Sequence, residues 1–262
     1  MPLLGMGSII LEDENHAVDL IIGAFEKGYR SIDTAEAYKN EHVIGRAIKE
    51  SGIPRSEFFI TSKVWTETLR TGDIKVAFQK SLERLGIDYI DLYLIHWPVP
   101  DKFVSAWQTL TEIYTTGETR AIGVSNFKEH HLKAIKEVSD VIPAVNQYEH
   151  HPYLTQKSIL EYCNKEDIVV EAYCPLGRAK NGVLNDSIIT SLAKKYEKTS
   201  AQVILRWHVE LGIIAIPSSS NAKRIAENID IFDFELTEEE VKSIDALNRD
   251  ERVVVDPDNF TH

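Results

Sequence analysis

Cysteine is scarce in this sequence: Cys163 and Cys174 are the only two, and neither belongs to a C-x-x-C pair. A chain of 262 residues with so few is not a disulfide-stapled secreted fold, and both thiols are expected reduced in a cytoplasmic protein. Positive charge is also short, with 29 Lys and Arg against 41 Asp and Glu and a formal net charge of −12. The chain-wide basic field that holds nucleic acid is absent. A site for an anionic ligand must therefore be built locally, against the overall field. No apolar run reaches the roughly 18 residues needed to span a bilayer. Residues 1–11 lack a basic stretch followed by an apolar one, so no signal peptide is evident. No Pro/Gly/Ser-rich linker or low-complexity tract divides the chain, and residues 1–262 are expected to form one domain. At 43% hydrophobic and 27% charged residues, the composition excludes disorder.

What is present is an alternation of two patterns. Short β-branched or apolar runs occupy residues 3–7, 29–32, 58–64, 89–95, 121–124, 144–146, 168–172 and 213–216, eight in all. Stretches with helical spacing lie between them, at 15–27, 40–50, 71–85, 104–116, 128–137, 156–165, 200–211 and 221–228. In 40–50, Asn40 is a plausible N-cap, and Val43, Ile44, Ala47 and Ile48 form one apolar face. Two extra helices are expected over 185–195 and 237–248, where Thr237 and Glu240 fit a capping box. Eight βα units of this length predict an α/β fold, a (β/α)8 TIM barrel with those two extra helices. A doubly wound open sheet would carry a Gly-rich phosphate loop after an early strand. The nearest candidate, Gly5-Met6-Gly7-Ser8-Ile9-Ile10, lacks the third glycine, so that fold is set aside.

In a barrel the active site forms at strand C-terminal ends and the loops that follow. Those positions here are polar. Asp33 ends the second run, with Tyr38 five residues on; Lys63 and Trp65 follow the third, and His96-Trp97-Pro98 the fourth. Ser125-Asn126, Gln147, Tyr173 and Ser218-Ser219 stand at the later mouths. A buried Asp33–Lys63 pair bracing the barrel is one reading, but such pairs often add no net stability. Together with Tyr38 and His96 they make a proton-donating site without a nucleophile. A phenol with a pKa of about 10 is a poor acid near neutrality. A neighbouring ammonium such as Lys63 lowers that pKa, Asp33 holds the lysine charged, and His96 positions the carbonyl oxygen. The pairs His130-His131 and His150-His151 do not each point both rings one way and are expected at the surface. No metal site is expected.

Five strings carry a resemblance. They are Gly28-Tyr29-Arg30-Ser31-Ile32-Asp33-Thr34-Ala35 followed by Tyr38, Asn40 and Glu41; Ile60-Thr61-Ser62-Lys63-Val64-Trp65; Asp88-Tyr89-Ile90-Asp91-Leu92-Tyr93-Leu94-Ile95-His96-Trp97-Pro98; Gly123-Val124-Ser125-Asn126-Phe127; and Asn146-Gln147. In this order the sequence resembles the aldo-keto reductase superfamily, most of all its bacterial 2,5-diketo-gluconate and methylglyoxal reductase type. The resemblance implies a (β/α)8 barrel that binds NADPH without a Rossmann motif, and a catalytic set of Asp33, Tyr38, Lys63 and His96. It further implies Ser125, Asn126 and Gln147 at the nicotinamide carboxamide, Tyr173 stacked on the ring, and Leu176 and Gly177 along the pyrophosphate. Ser218, Ser219 and Arg224 would lie toward the 2′-phosphate, and Glu227 and Asn228 at the adenine. An arginine at the start of a short helix suits a phosphate by charge and by dipole.

The resemblance has two departures. Many relatives have Lys at Ser218; its loss softens the preference for NADPH and admits some NADH use, with Lys223 a possible substitute. Relatives usually carry an N-terminal hairpin over the barrel bottom; this sequence begins almost at the first strand, so that plug is expected to be missing or replaced. The expected substrate walls are Trp65, Trp97 and the Ile9/Ile10 turn, with residues 253–260 closing one side. The short loop 99–102 implies an open pocket for small oxoaldehydes, aromatic aldehydes or keto-sugar acids. A small carbonyl compound is the expected partner, with no nucleic acid and no membrane, and a monomer is expected. Two rivals remain: a Schiff-base aldolase through Lys63, and a nucleotide-binding regulatory barrel without turnover.

Overall fold

The computed structural model describes residues 1–9, 13–180 and 182–260. Along the chain come β1 (Met6–Gly7), α1 (Glu14–Glu26), β2 (Ser31–Asp33), α2 (Glu41–Ser51), β3 (Phe59–Val64), α3 (Thr66–Thr71), α4 (Ile74–Leu85), β4 (Ile90–Ile95) and α5 (Phe103–Thr116). They are followed by β5 (Thr119–Ser125), α6 (Glu129–Lys136), β6 (Val145–Glu149), α7 (Lys157–Lys165), β7 (Val169–Tyr173), α8 (Ser187–Tyr196), α9 (Ser200–Glu210), β8 (Ile214–Ala215), α10 (Ala222–Ile229) and α11 (Glu238–Asp245). The eight strands pair in parallel in chain order. Bridges Leu4↔Ala215 and Gly7↔Ser218 join the first strand to the last, closing the expected barrel.

The strands read as near-continuous apolar runs because both faces are covered. All six residues of β4 are buried. Leu92, Leu94 and Val145 fill the barrel interior with Phe59 and Ala121 against them. A far larger core lies between strands and helices. Gly123 is required inside: a β-carbon there would stand 2.5 Å from the Val145 carbonyl oxygen and 2.8 Å from Leu94 Cδ2.

The helices depart from expectation in two places. There is a third extra helix: α3 occupies the loop after β3 and ends at Gly72 (φ +84), so the helix expected from residue 71 is split and α4 starts at 74. Asn40 holds the N-cap position of α2 but makes no capping bond. Its amide instead donates to the Ser8 carbonyl (2.8 Å), and its oxygen accepts from Thr34 Oγ1 (2.7 Å). Thr237 and Glu240 do form the capping box of α11. Among the described residues no helix is long and apolar enough to cross a membrane.

The histidines are the larger correction. His150 and His151 are wholly buried and His131 nearly so, with only His130 of the four exposed. His150 stacks on Trp207 of α9 (centroids 5.0 Å), and His208 of α9 reaches the His150 carbonyl at 3.1 Å. Shielding by α9, 57 residues further on, cannot be read from the local pattern. Burial lowers His208 to about 4 and His150 well below the usual histidine range. The unfolded chain therefore takes up protons that the folded one refuses. Stability should fall as pH drops below about 6.5, with the His208 share, on the order of 3 kcal/mol, fully lost near pH 4. Urea unfolding at pH 7, 5.5 and 4.5 checks this, and His208→Gln should flatten the slope. A variant whose slope matches the parent would remove His208 from the account.

Candidate active site

The strand register brings the polar mouth residues to one level. Asp33 pairs with Thr61, Lys63 with Leu94, and Gln147 with both Ser125 and Glu171. Lys63 is completely buried; its ammonium contacts Asp33 Oδ1 and donates to the Thr34 carbonyl at 3.0 Å. Asp33 Oδ2 accepts from Gln147 Nε2 at 2.8 Å. Tyr38 ends a 3-10 turn (Glu36–Tyr38), closed by Lys39 in the left-handed region (φ 55). Its ring centroid lies 5.3 Å from Lys63 Nζ and 5.7 Å, edge-on, from the His96 ring. The four residues of the expected catalytic set are thus in one group.

Two carboxylates and an amide fix the Tyr38 loop. Asn40 ties it to Ser8 and Thr34, as above. Glu36 accepts from the Trp65 backbone N–H (2.8 Å) and from Thr68 Oγ1 (2.9 Å), tying the turn to the loop after β3. Glu41, one residue past Asn40, is buried and meets Arg84 Nε at 2.6 Å.

The electrostatics correct one expectation. Burial pushes the Tyr38 phenol above its ordinary 10; Lys63 does pull it down, but less than burial raises it, and Asp33 adds to the rise. The phenol therefore keeps its proton throughout the working pH range. For Lys63 burial acts downward, yet Asp33 and Tyr38 outweigh it and the ammonium stands above the usual lysine range. Burial, aided by Lys63, holds His96 well below its usual range, as a neutral imidazole. Its Nδ1 is buried without a hydrogen-bond partner among the described residues.

The residues expected at the cofactor fall into two groups. At the mouth, Ser125 and Asn126 are buried, Asn126 in the left-handed region (φ 66). Its amide donates to the His96 carbonyl (2.9 Å) and Ser125 Oγ (3.1 Å), and its oxygen accepts from the Tyr173 hydroxyl (2.6 Å). Leu176 and Gly177 open a 3-10 turn after β7, Gly177 at φ 56. The second group lies at β8 and α10. Ser219 Oγ accepts from Asn221 N (3.1 Å), and Asn221 caps α10 by accepting from Arg224 N (3.1 Å). Ser218 is exposed and Asn228 buried. Arg224 is exposed and makes no ion pair among the described residues, whereas Lys223 lies 3.7 Å from Glu227. An uncommitted cation beside a capped helix start suits a phosphate. Lys223, already paired, is a poor stand-in for the lysine missing at Ser218.

An aromatic wall closes the substrate side. Trp97 stacks flat on Phe260 (centroids 4.1 Å, planes 4° apart), and Trp65 meets Phe260 at 6.1 Å and His96 at 5.0 Å. The expected closure by residues 253–260 is held by Glu149, which accepts from Val253 N (2.6 Å) and Val254 N (3.1 Å). Lys128 bridges Asp256 and Asp258, each at 2.6 Å. Ile9 is 52% exposed and Ile10 lies outside the described residues.

Two further features escaped the sequence. Glu171 is completely buried beside Gln147, a lone charge within the β7 run; that isolation was its only signal. His130, His131 and Asp258 bring ligand-type atoms within 4.8 Å of one another, with the two rings 3.9 Å apart despite their adjacency. Lys128 is shared between Asp256 and Asp258, and His131 Nδ1 accepts the Lys128 backbone N–H (3.1 Å), leaving the proton on Nε2. The trio serves to latch the C-terminal segment.

A closed parallel barrel with buried Asp33, Lys63 and His96 and a half-buried Tyr38 grouped at its mouth defines a carbonyl-reducing oxidoreductase. The Aldo/keto reductase family model matches residues 4–249, and the chain belongs to that family of NAD(P)H-dependent oxidoreductases. It is 50% identical over 260 residues to a glyoxal reductase of Bacillus subtilis (strain 168), covering 99% of this chain and 94% of the relative. It is 42% identical over 262 residues to methylglyoxal reductase DkgA of Escherichia coli (strain K12), covering 99% and 94%. Among solved structures, an aldo-keto reductase of Bombyx mori in complex with NADP superposes with a TM-score of 0.91 at 36% identity, covering 98% of this chain and 92% of that one.

Proposed function

We propose that this protein reduces small oxoaldehydes and keto-sugar acids to alcohols with NADPH, as a cytoplasmic monomer, with Tyr38 as proton donor. The observation that carries this reading is the buried Asp33–Lys63 pair with the half-buried Tyr38 ring against it, beside a neutral His96. Bound NADPH supplies the hydride; Ser125, Asn126 and Gln147 would hold its carboxamide, Tyr173 its ring, Leu176 and Gly177 its pyrophosphate, Ser218, Ser219 and Arg224 its 2′-phosphate, and Glu227 and Asn228 its adenine. The substrate oxygen lies between the Tyr38 hydroxyl and a His96 N–H. As negative charge grows on that oxygen, Tyr38 gives up its proton, and the Lys63 ammonium stabilises the phenolate that forms. Asp33 keeps Lys63 charged and oriented. Trp65, Trp97 and Phe260 exclude water and accept small apolar or planar carbonyl compounds.

The rival aldolase needs an uncharged Lys63 as nucleophile. An ammonium above the usual lysine range, bonded to a carboxylate and a carbonyl, disfavours it.

The test follows the reduced-nicotinamide absorbance with methylglyoxal or a keto-gluconate and NADPH or NADH. Consumption only with substrate present supports a reductase. Tight NADPH binding with no turnover of any carbonyl leaves a nucleotide-binding regulator instead. With Ser218 bringing no charge, discrimination rests on Arg224. Arg224→Ala should raise the KM for NADPH about 10- to 100-fold, the worth of a charge-assisted bond, and leave that for NADH nearly unchanged. Equal changes for both cofactors would remove Arg224 from the 2′-phosphate.

A further inference from the structure

Glu171 is a buried carboxyl group that this mechanism does not use. It pairs in register with Gln147 on β6 and with Ile214 on β8, and faces the barrel interior. The charged groups facing it are Asp33 from β2 and Lys63 from β3; its other strand neighbours are uncharged. Gln147 Nε2 donates to Glu171 Oε2 at 2.6 Å and to Asp33 Oδ2 at 2.8 Å. A primary amide has two N–H groups, and both are thereby spent on carboxyl groups. Neither bond uses the amide oxygen. The other carboxyl oxygen of Glu171, Oε1, is buried with no hydrogen-bond partner among the described residues. A carboxyl so poorly satisfied costs the fold stability, so structural need does not explain it.

We propose that Glu171 is a positioning residue for cofactor binding: together with Asp33 it locks the Gln147 amide so that only its oxygen, an acceptor, is presented to the nicotinamide carboxamide. The proposal rests on the nicotinamide site given above. Without an acceptor at 171, one Gln147 N–H is stranded and the amide is free to turn over. It then offers a donor where the carboxamide N–H needs an acceptor. Burial, with Asp33 adding to it, raises Glu171 to about 8, so the carboxyl is neutral at pH 7 and ionises above pH 8. A second negative charge then joins Asp33 behind Lys63. That charge tightens the hold on the Tyr38 proton and makes the phenol a weaker donor, so turnover should fall above pH 8.

The experiment compares Glu171→Leu and Glu171→Gln with the parent, reading dissociation constants for NADPH and for 2′,5′-ADP, which lacks the nicotinamide. E171L should weaken NADPH about tenfold and leave 2′,5′-ADP unchanged, the size of loss that one misdirected buried hydrogen bond produces. In the assay it should lower kcat with little change in KM for methylglyoxal. E171Q keeps an acceptor toward Gln147 and should hold NADPH affinity and kcat at pH 7 within about threefold of the parent. It cannot ionise, so its kcat should stay level above pH 8 where the parent declines. Parent-like NADPH affinity in a folded E171L overturns the proposal. So does an E171Q that loses NADPH as severely as E171L, and this second arm decides the matter if E171L does not fold. The affinity comparison needs no turnover. A Tyr38→Phe variant with full activity would therefore sink the proton-donor reading while leaving the Glu171 result to stand or fall by itself.

Discussion

Tyr38→Phe should lower kcat for methylglyoxal by about three orders of magnitude, within the range a positioned general acid contributes. NADPH affinity should change little. The removed hydroxyl belongs to a ring that sits beside Lys63 and His96, and both keep their remaining partners. The size of the loss follows from the local charges. Burial keeps the phenol protonated, so ground-state acidity is not the source of its strength. In the proposed mechanism the strength arises during the reaction, when the carbonyl oxygen would become negative and the buried Lys63 ammonium would face the new phenolate across little solvent. Neutral His96 can orient the substrate oxygen but keeps its own proton. Single-turnover loss of reduced-nicotinamide absorbance separates chemistry from product release. A Phe variant within tenfold of the parent would pass the donor role to His96.

The barrel and the four polar residues at its mouth were legible for one physical reason. A strand covered on both faces must be apolar, so the place where Ile32 gives way to Asp33, or Ile95 to His96, marks both the strand end and the active face. Helix registers were legible where a cap uses neighbours in sequence, as at Thr237 and Glu240. Asn40 misled because its amide reaches Ser8, 32 residues earlier, instead of its own helix. His150 misled for a similar reason: Trp207 and His208 of α9 cover it from far along the chain. Glu171 and Gln147 meet across two strands, and nothing in either local string foretells a shared amide. The Tyr38 pKa was misjudged in sign because sequence reveals the lysine but not the depth of burial. Phe260 lay within the segment expected to close the pocket, yet its flat stack on Trp97 depends on Glu149 and Lys128 holding that segment.

Asp33→Ala carries the second large effect, and it falls on stability as well as catalysis. Lys63 has no exposed surface, and among the described residues Asp33 supplies its only salt bridge. Removing one partner of a buried pair leaves a stranded charge, at a cost of about 3–5 kcal/mol. Gln147 also loses an acceptor for one amide N–H. With the carboxylate gone, burial is opposed only by Tyr38 and Glu171, and the Lys63 pKa falls. The sign of the pH dependence follows: a lysine with a depressed folded pKa costs the most while it is charged, so the variant should be least stable at low pH and recover as pH rises toward the ordinary lysine range. Urea unfolding of the parent and Asp33→Ala at pH 6 and pH 9 measures this difference. The double variant Asp33→Ala/Lys63→Met separates charge from packing. If the stranded ammonium is the cause, the double variant unfolds at higher urea than Asp33→Ala alone, and its stability loses the extra pH dependence. If the two losses simply add, the cavity is responsible, and Asp33 matters to the barrel as filling rather than as the counter-ion that keeps Lys63 charged for Tyr38.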